Sequence, residues 1–101
     1  MLKVAVVGAS GYTGGELLRI LALHPYVKVV AVTSEKSSGR SVAQVFPNLT
    51  GFYDLILQPL SPEIAGADAE FIFTALRHGT SVAPVAEFVK TGKMVVDLSA
   101  D

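Results

Sequence analysis

The feature that most constrains this chain is a glycine-punctuated turn, Gly8-Ala9-Ser10-Gly11-Tyr12-Thr13-Gly14-Gly15, between an apolar run at 2–7 and a helix-like run at 12–23. An apolar, β-branched run without alternation suits a strand buried on both faces of a parallel sheet. After the turn the period changes. Gly14, Leu17, Leu18, Leu21 and Ala22 recur at helical spacing, with Glu16 and Arg19 off that stripe, and His24-Pro25 ends the helix.

A strand, a glycine turn and a helix start together present several unpaired backbone N–H groups, and the helix dipole adds roughly half a positive charge at that point. A phosphate needs such donors and no obstructing side chains. Gly8 permits the sharp reversal, Gly11 lets the backbone come close to a phosphate, and Gly14 lets the helix pack tightly on the first strand. The spacing is Gly-x-x-Gly-x-x-Gly, so Ser10 stands where small size and a hydroxyl donor replace a glycine. Tyr12 and Thr13 open the helix, either over a pyrophosphate or as caps of the turn. The whole reads as a seat for the pyrophosphate of a dinucleotide.

The remaining pattern alternates. Residues 27–33 read as a second strand, 34–53 mostly as loop, 55–57 as a short strand, and Ser61-Pro62-Glu63 as a helix start limited to one turn by Gly66. Residues 69–76 read as a strand. A second helix should begin near Thr80 or Ser81, bury Val82, Val85 and Val89, and stop at Gly92, before a last strand over 93–98. The expectation is one dinucleotide-binding domain over residues 1–101: an α/β, doubly wound, mainly parallel sheet with flanking helices, of Rossmann type. Its ligands belong at the carboxyl ends of the strands.

In such a domain the ribose of the adenosine lies against residues about 20 positions beyond the glycines. That stretch is Thr33-Ser34-Glu35-Lys36. Ser34, Lys36 and Arg40 offer the hydroxyl and cations that a 2′-phosphate needs, which favours NADP; Glu35 would favour NAD if it faced the ribose hydroxyls instead. A third candidate cluster is Leu76, His78 and Gly79, where the strand over 69–76 ends at the expected crevice. His78 has three open roles: proton donor, ligand, or plain loop residue. Asp97 and Asp101 bracket the end of the last strand near the same edge. The other carboxylates fall on loops or helix faces and form no catalytic pair, and no metal-ligand cluster is present.

Composition excludes several classes. A net charge of −1 gives no cationic field for nucleic acid. No run of about 18–20 apolar residues exists to span a membrane. The absence of cysteine removes disulfides and thiol chemistry from these residues and suits a reducing, cytoplasmic setting. Half the residues are hydrophobic and only 17% charged, so part of the apolar surface is expected to meet a partner.

Taken together, Gly8-Ala9-Ser10-Gly11-Tyr12-Thr13-Gly14 with Glu16-Leu17-Leu18-Arg19, the Thr33-Ser34 strand end, Ala75-Leu76-Arg77-His78-Gly79 and Val96-Asp97-Leu98-Ser99-Ala100-Asp101 resemble the N-acetyl-γ-glutamyl-phosphate reductases of arginine biosynthesis. The resemblance covers the whole chain. The opening turn alone is shared with aspartate-semialdehyde dehydrogenases. The resemblance implies NADPH-dependent reduction of an acyl phosphate to an aldehyde through a cysteine thioester, with a histidine as general acid and base, in an enzyme expected to be a homo-oligomer. The family's cysteine lies in a later Asn-x-Gly-Cys motif and its catalytic histidine lies in the substrate domain, so His78 does not match it. Arg77 stands where the family has proline, which puts a cation near the nicotinamide end. The chain is thus expected to be the cofactor half, binding NADP(H) without turnover and lacking the substrate domain. A related reductase acting on aspartyl phosphate or an aminoadipate analogue, and a non-catalytic dinucleotide sensor, are the alternatives.

Overall fold

In the computed structural model the described residues are 2–8, 12–34, 37–59, 69–75 and 94–98. The apolar run at the start forms β1 (Leu2–Val7), followed by α1 (Tyr12–Ala22) and β2 (Val27–Thr33). Two further strands, β3 (Phe71–Thr74) and β4 (Met94–Asp97), complete a sheet of order β2-β1-β3-β4 in which every pairing is parallel. β3 and β4 are shorter than the 69–76 and 93–98 runs expected. The second helix expected from residue 80 and the turn at Ser61 lie outside the described residues.

Because β1 is central, both its faces are covered. Val4 and Val6 join Leu18 and Leu21 of α1 with Val29 and Val32 of β2, while Ala5 and Val7 join Ala69 and Ile72 on the other face. Val4 to Val7 are wholly buried. β2 carries an irregularity that a run of valines does not announce. Val4 pairs with Val29 but Ala5 pairs with Ala31, leaving Val30 as the extra residue of a bulge. The bulge rephases the strand, so Val29 and Val32, three apart, pack in the same cluster as α1.

Of the α1 stripe, Gly14, Leu18 and Leu21 are buried and Leu17 and Ala22 half-buried, while Gly15, off the expected stripe, is buried as well. The chain leaves the helix through hydrogen bonds from Leu23 N to Ile20 O and from His24 N to Leu21 O. Ile20, Leu23, Tyr26, Phe52, Ile56 and Met94 each remain more than half exposed.

The segment after β2 departs from the expected loop. Ser41 caps a short helix, α2 (Val42–Val45), in a reciprocal capping box: Gln44 N donates to Ser41 Oγ at 3.2 Å, and Ser41 N donates to Gln44 Oε1 at 2.8 Å. A 3-10 turn (Pro47–Leu49) follows. Val42, Leu49 and Leu57 are buried against α1, and Tyr53 donates its hydroxyl to Leu18 O at 2.6 Å. This excursion therefore covers the α1 side of the sheet.

The short strand expected over 55–57 is instead two isolated bridges, Ser41 with Ile56 antiparallel and Thr33 with Gln58 parallel. The parallel bridge lies beside β2, in the place a third strand occupies in the order 3-2-1-4 of doubly wound sheets. A longer strand does not form because the backbone donors at 55–58 alternate between β2 and the excursion: Leu57 N donates to Arg40 O, while Gln58 N donates to Val32 O.

Candidate functional site

Two of the expected site residues, Gly8 and Ser34, stand at one edge of the sheet. The register aligns Thr33, Val7, Thr74 and Asp97 in a row across the four strands, and Gly8, Ser34 and Ala75 are the next residues along the first three. The row is tied by backbone bonds that run past the strand ends, Ala75 N to Val7 O at 2.8 Å and Leu98 N to Thr74 O at 2.7 Å. Thr33, Ser34 and Thr74 are the buried polar residues among those described, and all three stand here.

Gly8 adopts φ 81°, the left-handed region that glycine enters without strain and that the reversal expected at it calls for. Its N–H is shared between Thr33 O at 3.1 Å and Thr33 Oγ1 at 3.2 Å. The amide of Gly8 is thereby committed to β2, and the turn is anchored before the helix begins. Thr33 opens the stretch expected to meet the ribose, with no expected part in the glycine turn. Its part is to accept from a strand that is not adjacent in sequence, which residue type alone does not reveal.

Tyr12 begins α1, Thr13 is exposed in the first turn and Gly14 is buried. A side chain has no room at Gly15, where a Cβ would lie 2.6 Å from Phe46 Cε1. Ser10 and Gly11 lie outside the described residues.

At the end of β2, Ser34 is buried, its N–H donates to Gln58 O at 2.8 Å, and its Oγ accepts from Ser37 N at 2.9 Å. The hydroxyl thus holds the following turn, an ST-type closure. Arg40 is exposed and ends the next turn, its N–H donating to Ser37 O at 3.2 Å. Ser34 and Arg40 thus belong to two consecutive turns that meet at Ser37; Glu35 and Lys36 lie outside the described residues, as do Leu76, His78 and Gly79. Gln58 is a further polar residue at this corner. Its Oε1 is buried with no hydrogen-bond partner among the described residues.

Two ionisable groups on or against α1 are perturbed. Burial pushes the Tyr53 hydroxyl up to about 12, so it stays a donor to α1. The hydrogen bond from Arg19 lowers Glu16 on the exposed side of α1, with Arg19 Nη2 2.9 Å from Glu16 Oε2. Among the described residues no three His, Cys, Asp or Glu side chains gather as a metal site, and no helix is long and apolar enough to cross a membrane.

A parallel sheet with its first strand central, a left-handed glycine closing that strand onto a helix, and a polar row at the strand ends define a Rossmann-type domain. The model of the family "Semialdehyde dehydrogenase, NAD binding domain" matches residues 3–101. The chain belongs to that family. It is similar to the N-acetyl-γ-glutamyl-phosphate reductase of Geotalea daltonii, 57% identical over 101 residues, which are 100% of this chain and 29% of that protein. The reductase of Methanocella arvoryzae is 46% identical over 101 residues, again 100% of this chain and 30% of the relative. This chain thus spans under a third of the length of these curated relatives. The crystal structure of aspartate semialdehyde dehydrogenase with NADP from Candida albicans superposes with a TM-score of 0.83 at 24% identity, covering 98% of this chain and 30% of that one. That likeness bears on the fold.

Proposed function

We propose that the chain is the NADP(H)-binding part of an N-acetyl-γ-glutamyl-phosphate reductase, which reduces N-acetyl-γ-glutamyl phosphate to N-acetylglutamate 5-semialdehyde in arginine biosynthesis. The observation that carries this reading is the Gly8 turn. Its φ of 81° and its anchorage on Thr33 join β1 to α1 as a pyrophosphate seat requires, in a chain 57% identical to a reductase of that name.

The residues present fit a dinucleotide. The strand ends carry small or polar groups, and a buried acceptor, Gln58 Oε1, has no donor among the described residues. Since the Gly8 N–H serves β2, the donors for the pyrophosphate fall to the turn after it and to the start of α1, with Ser10, Gly11, Tyr12, Thr13 and Gly14. Ser34, Lys36 and Arg40 serve the 2′-phosphate, and Leu76, His78 and Gly79 line the crevice beyond β3. When bound, the nicotinamide supplies hydride to the carbonyl carbon of the substrate. None of the 101 residues is a cysteine, so this segment's share is to bind and orient the reductant. The thioester chemistry falls to a substrate domain, within a cytoplasmic homo-oligomer.

Calorimetric titration of the chain with NADPH and NADH tests the reading. Charge-assisted hydrogen bonds contribute about 1.5–3 kcal/mol each, so two such contacts to the 2′-phosphate favour NADPH by roughly two to four decades. Binding of neither dinucleotide, or preference for NADH, overturns it.

A further inference from the structure

Gln58 stands beside the end of β2, where the proposed function seats the adenosine. Its backbone is pinned on both sides: its N–H donates to Val32 O at 2.9 Å and its C=O accepts from Ser34 N at 2.8 Å. Its side chain is different. Oε1 is buried, and no donor reaches it among the described residues.

The backbone donors around it are already engaged. Ser34 N–H serves Gln58 O, Ser37 N–H serves Ser34 Oγ, Gly39 N–H serves Leu57 O, and Arg40 N–H serves Ser37 O. A buried carbonyl oxygen without a donor is uncommon in a folded protein and calls for an explanation.

We propose that Gln58 recognises adenosine: its carboxamide oxygen accepts a hydrogen bond from the adenosine half of the bound dinucleotide, from a ribose hydroxyl or the adenine amino group. This rests on the dinucleotide reading above. A phosphate dianion has no proton to donate, so the 2′-phosphate is not the partner of Oε1. The terminal torsion of a glutamine is broad, so the oxygen turns toward a ligand without moving the pinned backbone. Glutamine at this position then distinguishes adenosine by a donor, while Ser34 and Arg40 address the phosphate.

The test compares Gln58→Met, similar in shape but without the acceptor, with the unaltered chain. The probes are NADPH, NADH and the hypoxanthine analogue of NADPH, read by calorimetry, with thermal melts of the free chains. The free variant should melt no lower than the original, because it leaves no acceptor unpaired, while NADPH affinity falls about 3- to 10-fold, the worth of one neutral hydrogen bond. If the amino group is the donor, the original chain loses that factor on the hypoxanthine analogue and the variant loses nothing more. If a ribose hydroxyl is the donor, the variant loses the factor on both nucleotides. In Gln58→Glu the acceptor remains but a negative charge is added, so NADPH should weaken more than NADH. Unchanged NADPH affinity in Gln58→Met overturns the role of Gln58 alone, and so does an affinity loss matched by a fall in melting temperature. An equal response of Gln58→Glu to both cofactors also overturns it, whereas an unaltered chain that binds no dinucleotide overturns this and the proposed function together.

Discussion

Replacing Gly15 with alanine tests how the excursion over 41–58 is held on α1. Within a helix, alanine is favoured over glycine by about 1 kcal/mol, so taken alone the change should stabilise. Packing opposes it. The new Cβ would lie 2.6 Å from Phe46 Cε1, 3.0 Å from Cδ1 and 3.3 Å from Cζ. Phe46 is half-buried against the cluster that holds Leu18, Val42 and Leu49, so its ring must shift against those neighbours to make room. Overpacking of this kind costs about 1–3 kcal/mol, which leaves a net loss of roughly 1 kcal/mol and a fall in Tm of roughly 4–8 °C for a domain of this size. In a Phe46→Ala background the obstacle is gone. There Gly15→Ala should stabilise by about 1 kcal/mol through helix propensity alone. Urea unfolding of the four chains in this double-mutant cycle reads the sign directly. Stabilisation by Gly15→Ala in both backgrounds would refute the close approach of α1 to the excursion.

Gly8→Ala forces a side chain into φ 81°, a left-handed conformation that costs about 1–2 kcal/mol, and also crowds the turn. Thermal melting should show the loss and calorimetry a weaker NADPH; an unchanged Tm would contradict the assigned backbone. Tyr53→Phe removes the bond to Leu18 O and should cost about 0.5–1.5 kcal/mol at neutral pH. Its pH dependence has a definite sign. Burial raises Tyr53 from its ordinary value of 10.0 to about 12, so between these values the unfolded chain releases a proton that the folded chain keeps. The stability from this group is complete below its unfolded value and is lost as pH rises through its folded one. Unfolding midpoints across that window should fall less steeply in Tyr53→Phe, and equal slopes would argue against a buried hydroxyl.

Much of the architecture can be read in the residues. β1 and β2 follow from apolar runs too continuous for a half-exposed sheet, and α1 from leucines at helical spacing. Other features depend on contacts between distant segments. The bulge at Val30 has no local signature, since the run Val27-Lys28-Val29-Val30-Ala31-Val32 permits either phase. The excursion was more legible than the expected loop allowed: Val42, Val45, Phe46 and Leu49 keep the i, i+3, i+4, i+7 spacing, and Ser41 and Gln44 are a capping box. Pro47 and the polar run before Ser41 hide that pattern. At the site, Gly8 and Ser34 could be placed because their spacing carries a mechanism. The bond from Gly8 to Thr33 and the place of Gln58 could not, because each rests on a parallel pairing with a strand or segment about 25 residues away.

The central claim, that this strand edge seats a dinucleotide, is tested most directly by following the backbone amides of ¹⁵N-labelled chain by NMR during titration with NADPH. The account predicts that the saturable shifts gather at the carboxyl edge, at Gly8, Ser34, Ser37, Gln58 and Ala75 and in the first turn of α1. Leu2, Val27 and Met94, at the other ends of their strands, should stay in place. Shifts centred on that opposite edge, or none at saturating NADPH, would contradict it.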